Sequence, residues 1–173
     1  MVHQVSSDGG KTWGAVVDDV TYPVYTARPG MPIVRKIGNG QYMLTYEYGG
    51  GPGFSSYQFP IYYKISSNPL AFGSVAGVPL KTASGYQPTS APTHIWTPVG
   101  GVNGTIVATA GSNTDLYINR ANGQGPWSVL KTSAPAAYTR YLDVGFNPKD
   151  IAIIAGGALG QGATNKVTFT ATE

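Results

Sequence analysis

The sequence predicts an all-β chain built from repeated antiparallel sheets, on three observations. Twenty-four Gly, thirteen Pro and twelve Tyr are scattered without a fixed short period, the punctuation of many tight turns between short strands rather than of helices. Charged residues are only 11% of the chain against 42% hydrophobic, less than half the usual quarter for charge, which excludes a charge-rich disordered chain. Three segments repeat one pattern: an extended run, an Asn-containing turn, then an aliphatic run ending in small residues. At 173 residues the chain has room for one ordinary domain and one hydrophobic core.

Taken in order, the first element is the turn in SSDGGKTW, residues 6–13. Asp8 bonds its own downstream amides and Gly9-Gly10 accept positive φ, so an extended chain resumes at Thr12, with Trp13 as an apolar anchor under the turn. The spacing of Ser6, Asp8, Gly10, Thr12 and Trp13 fills every defined position of S-x-D-x-G-x-T-W, the Asp box. In families that carry it, this box stabilises a hairpin between outer strands of a β-propeller blade. Its role is therefore expected to be structural, with Gly14 to Val17 as the outer strand that follows.

The repeats come next: MPIVRKIGNGQYMLTYEYGG from Met31, THIWTPVGGVNGTIVATAGS from Thr93 and TRYLDVGFNPKDIAIIAGGA from Thr139. Asn39-Gly40 and Asn103-Gly104 suit type I′ hairpins, which need positive φ at both central residues; the third copy turns at Asn147-Pro148-Lys149-Asp150. Starts 62 and then 46 residues apart fit four-stranded blades, the first with a long insertion. Phe59 to Ser66 and Gly77 to Thr82 complete one blade, and Asp115 to Ala121 and Trp127 to Thr132 complete the next. The expected division is a blade tail over 1–25, blades over 26–83 and 84–133, and an incomplete last blade over 134–173. About three blades are too few to close a ring, so the chain reads as the C-terminal part of a longer propeller or as one that assembles with other blades. Exposed inter-blade faces would favour self-association.

Blade topology sorts the chemistry-bearing residues. Turns between second and third strands, and the links between blades, share the face on which propellers bind ligands. Arg28 lies in such a link and Glu47 ends a second strand, so both fall there, whereas the Asp box lies on the opposite face. Glu47 is one of two glutamates, the other being the last residue, Glu173. It is the candidate catalytic residue, and Arg28 a candidate to bind substrate or to orient Glu47, since a guanidinium fixes a carboxylate bidentately. Tyr46, Tyr48 and Tyr57, with Phe54 and Phe59 in the following loop, offer rings on which a ligand could stack; alternation is expected to send one of Tyr46 and Tyr48 away from the site. Trp96 is placed on a channel strand, Trp127 with Trp13 as a blade-packing anchor. Asp115 and Asp143 are the only carboxylates that could stand beside Glu47.

The stretch RPGMPIVRKIGNGQYMLTYEYGG resembles the corresponding segment of glycoside hydrolase family 93, the fungal exo-arabinanases, most strongly over residues 6–51. The resemblance extends through GFSSYQFPIYYKI and the blade pattern of the rest. It implies a sialidase-like six-bladed propeller and a retaining, exo-acting hydrolysis of α-1,5-L-arabinan by two glutamates, with secretion from the cell. Glu47, in Thr45-Tyr46-Glu47-Tyr48-Gly49, takes the position of one of them. A retaining pair needs a second carboxyl about 5 Å away, and nothing else in the chain matches a family glutamate. The resemblance places that partner in the N-terminal half of the parent enzyme.

Two other readings compete. A non-catalytic carbohydrate-binding or interaction propeller needs the Asp box but no carboxylate pair. A sialidase needs three arginines around the substrate carboxylate, and Arg28, Arg35, Arg120 and Arg140 form no recognisable triad. The +3 net charge is dispersed, so no stripe of basic residues tracks phosphates and nucleic acid is not an expected partner. Without cysteine there are no disulfides or thiolate sites. His3 and His94 lack metal-site spacing, so neither metal nor cofactor is expected. No apolar run approaches the ~20 residues of a membrane span, and MVHQVSSDGG lacks the basic and apolar regions of a signal peptide. Asn103-Gly104-Thr105 is a formal N-glycosylation acceptor.

Overall fold

A computed structural model describes residues 1–22 and 27–132, and the backbone of strands at 139–144, 150–156 and 164–170. The two-stranded sheet at the start pairs β1 (Val2–His3) with β2 (Val17–Asp18). Four-stranded antiparallel meanders follow: β3 (Arg28–Lys36), β4 (Tyr42–Gly49), β5 (Ile61–Ser66) and β6 (Val78–Pro79), then β7 (Thr93–Thr97), β8 (Thr105–Thr109), β9 (Leu116–Asn119) and β10 (Ser128–Leu130). A three-stranded sheet of β11 (Thr139–Val144), β12 (Asp150–Gly156) and β13 (Thr164–Thr170) closes the described chain. No helix among the described residues is long and apolar enough to cross a membrane.

The two-residue period of a strand explains how the sheets pack. On β4, Met43 belongs to a core with Ile61, Tyr63 and Leu80 of its own sheet and Ile106, Ala108, Tyr117 and Trp127 of the next. Leu44 and Tyr46, pointing the other way, pack with Val20 and Phe72. Because β4 is covered on both faces, it reads as a nearly continuous apolar run. Trp127 is 1% exposed and stands edge-on to Tyr63 with ring centroids 5.7 Å apart, and a parallel bridge from Thr82 to Trp127 ties the rims of the two sheets.

Several local expectations change. Asn39 and Gly40 have φ of 58° and 68°, as a type I′ turn requires, but in the second repeat positive φ falls on Gly100, Gly101 and Gly104 and not on Asn103. The longer link from β7 to β8 puts the reversal on its glycines. The turn expected at Asn147-Pro148-Lys149 lies outside the described residues. The outer strand expected from Gly14 shrinks to Val17–Asp18, because between the Gly14 amide bond to the Val5 carbonyl and the pairing of Val17 with His3 the chain makes no ladder.

The Asp-box turn sits between β1 and β2. Asp8 Oδ1 accepts from the amides of Lys11 and Thr12, its Oδ2 accepts from the Thr12 hydroxyl at 2.7 Å, and Ser6 Oγ accepts from the Gly10 amide at 2.7 Å. The Thr12 amide and hydroxyl, aided by Ser6, pull the Asp8 carboxyl down to about 2. Trp13 corrects the expectation of a packing anchor: it is 62% exposed, with its ring edge over Gly10 and no second sheet covering it among the described residues.

Candidate active site

Glu47 sits at the C-terminal end of β4, opposite Gly30 on β3 and Ile61 on β5. Its residue is only 3% exposed, so both carboxylate oxygens need donors. Arg28 Nη2 donates to Oε1 at 2.9 Å, and the Ala91 backbone amide donates to Oε2 at 2.9 Å. The pair is asymmetric: the Arg28 side chain is 67% exposed and that of Glu47 only 4%. Glu47 is thus anchored from below and approached from solvent on the arginine side.

Neighbouring residues set the geometry of that pair. The Arg28 guanidinium lies over the Phe59 ring, 4.6 Å from its centroid, a cation–π contact that restrains a long, otherwise mobile side chain. Gly49 makes room: a Cβ there would come within 2.9 Å of the Phe59 ring and 3.4 Å of Arg28 Cβ. Gly30 lies opposite the carboxylate, where a Cβ would be in ordinary contact, 3.5 Å from Glu47 Oε1. On the far side, Ser90 donates its amide to the Phe59 carbonyl at 2.8 Å and its carbonyl accepts from Gly111 at 2.6 Å, which fixes the link that carries Ala91.

The remaining candidates scatter. Tyr46 and Tyr48 differ by two residues, so both point away from Glu47, which corrects the expectation that one would face the site. Tyr46 is fully buried with its hydroxyl 3.1 Å from that of Tyr22, and Tyr48 stacks on Tyr22 with centroids 3.7 Å apart. Burial pushes the hydroxyls of Tyr22, Tyr46 and Tyr62 upward, so this cluster is an inter-sheet seam of neutral phenols. Trp96 is also displaced from the site: its indole donates to the Asn103 carbonyl at 2.9 Å, at the hairpin end of β7 and five residues, about 16 Å of extended chain, from Ala91. Asp115 is buried and committed to Lys131 Nζ at 2.5 Å. Tyr57, 88% exposed, stands in the β4–β5 loop at the Glu47 end of the sheet.

Other charged groups have structural partners. His3 Nδ1 meets the Asp19 carboxylate at 2.9 Å, and the buried Lys64 ammonium donates to the carbonyls of Asp19 and Phe72. His94, fully buried on β7, bonds Thr45 through Nδ1 at 3.0 Å while Nε2 has no partner. Burial first, and then the charge of Arg35, push it down to about 3. Among the described residues no group of three His, Asp or Glu could hold a metal. Nor does an arginine triad form there, because Arg28 lies at the Glu47 end and Arg120 beside Gly100 at the opposite end.

Ala91 was not among the residues singled out by sequence, since an alanine carries no functional group. A signal existed in the alignment of the repeats: Ser90-Ala91-Pro92 precedes β7 as Gly30-Met31-Pro32 opens the body of β3.

Successive antiparallel sheets packed face to face, with an arginine-clamped glutamate where a second strand ends, define a partial sialidase-like β-propeller. Comparison with solved structures carries this further. The chain matches an α-L-arabinanase of Penicillium chrysogenum complexed with arabinobiose at 44% identity and a TM-score of 0.89, over 98% of this chain and 49% of that one. It matches the family 93 α-L-arabinofuranosidase of Fusarium graminearum, also with arabinobiose, at 38% identity and a TM-score of 0.90 over the same shares. A mutant of the Fusarium enzyme with an iminosugar inhibitor gives 0.91. No protein-family model matches the chain, and no curated protein sequence does so. The chain belongs to glycoside hydrolase family 93 and spans about half the length of these structures.

Proposed function

We propose that this chain forms part of an arabinan-degrading glycoside hydrolase, a retaining and exo-acting enzyme on linear α-1,5-L-arabinan, with Glu47 as one of its two catalytic carboxyls. The observation that carries the reading is the buried Glu47 held by Arg28 and Ala91 in a chain that is 44% identical to an arabinanase crystallised with arabinobiose. Each oxygen accepts a hydrogen bond, so the carboxylate is held in one orientation. Such orientation is what either role in a double-displacement reaction requires.

The second carboxyl comes from outside this span. Of the aspartates whose side chains are described, Asp8 is occupied by its own turn, Asp19 by His3 and Asp115 by Lys131, and Asp18 is exposed on β2 of the first sheet, away from Glu47 on β4; the side chain of Asp143 lies outside the described residues. Tyr57, exposed beside the site, supplies a stacking surface for an arabinofuranose ring. Secretion follows from a polymeric plant-wall substrate that does not enter cells.

The test is digestion of debranched arabinan by the complete propeller. Arabinobiose as the sole early product, lost in Glu47→Gln, supports the reading. Binding of arabino-oligosaccharides without any release of product refutes it in favour of a carbohydrate-binding propeller.

A further inference from the structure

Five non-glycine residues among those described have positive φ: Met31, Asn39, Ser90, Ala91 and Asn122. Asparagine tolerates that region in turns, and Asn39 and Asn122 sit in turns. The other three have no such excuse. Ser90 and Ala91 have φ of 70° and 40°, and Met31 has 52°. Both Met31 and Ala91 directly precede proline, where the backbone favours an extended conformation at negative φ. All three border Glu47: Met31 follows Gly30, the residue paired with Glu47, and Ala91 donates to its Oε2.

Strained backbone persists only where the surroundings over-determine it, and it concentrates at functional sites. The surroundings here do so. Ser90 is tied on one side to the Phe59 carbonyl and on the other to the Gly111 amide, so the link cannot relax without breaking bonds to two sheets. Phe59 also carries the Arg28 guanidinium, and one residue thereby couples the two donors that hold Glu47.

We propose that Ala91 is a positioning residue for Glu47, and that the strained Ser90–Ala91 link exists to hold the Ala91 amide on Oε2. This rests on the catalytic reading of Glu47 given above. The link acts through backbone alone, which is why no side-chain motif marks it. Returning Ala91 to negative φ turns its amide away from the carboxylate and leaves Oε2 buried without a donor.

The experiment compares Ala91→Val and Ala91→Gly in the complete propeller. Valine is branched at Cβ and resists positive φ, whereas glycine accepts it. The expected result is a fall in kcat of about 10- to 100-fold for Ala91→Val with KM within about twofold, and recovery of most of that loss in Ala91→Gly. An unchanged kcat in a folded Ala91→Val, or a rise in KM in its place, overturns the proposal. Should Ala91→Val not fold, or the wild type release no product, amide NMR decides. In wild type the Ala91 proton is deshielded by the carboxylate, and in Glu47→Gln it moves upfield. An Ala91 resonance that ignores that substitution overturns the proposal whatever becomes of the hydrolase reading.

Discussion

Arg28 and Glu47 form an ion pair at 2.9 Å in which the acid is almost wholly buried and the base two-thirds exposed. The guanidinium is partly screened by water, but it supplies the hydrogen bond that the buried Oε1 requires and fixes the direction of the carboxylate.

Replacement of Arg28 by Met leaves the buried Glu47 Oε1 without its donor and is expected to lower unfolding free energy by about 1–3 kcal/mol while lowering hydrolysis by one to two orders of magnitude. Arg28→Lys recovers little, because an ammonium neither stacks as a plane on Phe59 nor presents a fork. Denaturant titration and initial rates on arabinan, measured side by side, check this.

Gly49→Ala places a methyl carbon 2.9 Å from the Phe59 ring, closer than real contacts allow. The ring must move, and with it the support for Arg28. The expected outcome is a cost of about 1–3 kcal/mol and a loss of activity similar to that of Arg28→Met. A crystal structure of the variant with Phe59 and Arg28 unmoved would disprove the linkage.

The Asp8 turn predicts an acid-sensitive hairpin. Its carboxyl is lowered from 3.8 to about 2, so the unfolded chain binds a proton first as pH falls. The stabilisation is complete above about 4 and lost as pH falls towards 2. Asp8→Asn should melt below wild type at neutral pH, and the two melting temperatures should converge near pH 2.

His94 acts in a higher window. It is neutral when folded, with a value near 3 against 6.5 when exposed, so protons favour the unfolded chain between those limits. Stability is full above about pH 6.5 and falls with acidification by at most about 1.4 kcal/mol per pH unit. His94→Gln, which retains a partner for Thr45, should flatten this part of the stability–pH profile as measured by urea unfolding.

Much of the sheet pattern was legible because strands of two-residue period separated by Gly and Asn turns leave a strong local signature. The three similar segments from Met31, Thr93 and Thr139 mark the starts of the sheets within a few residues. Glu47 and Arg28 were legible because blade topology assigns loops to faces and because charge is rare in this chain. The seam tyrosines were misread although the information was present: Tyr46 and Tyr48 share parity, and Glu47 lies between them. Trp13 was misread because nothing local to an indole states whether a neighbouring sheet covers it, and Trp96 because its place along β7, at the hairpin end beside Asn103, puts it far from Glu47.

Local sequence accounts for the strand order, the turn that takes positive φ on Asn39 and Gly40, and the rarity that drew attention to Glu47. These are properties of short segments, set by sterics and by the alternation of apolar residues. Packing between sheets settles which sheet each face of β4 meets, brings Phe59 beneath Arg28 through the gap left by Gly49, and carries the Ala91 amide to Glu47 across 44 residues of chain. The reason is physical: a backbone amide is the same in every residue, so its role depends on where packing between sheets carries it.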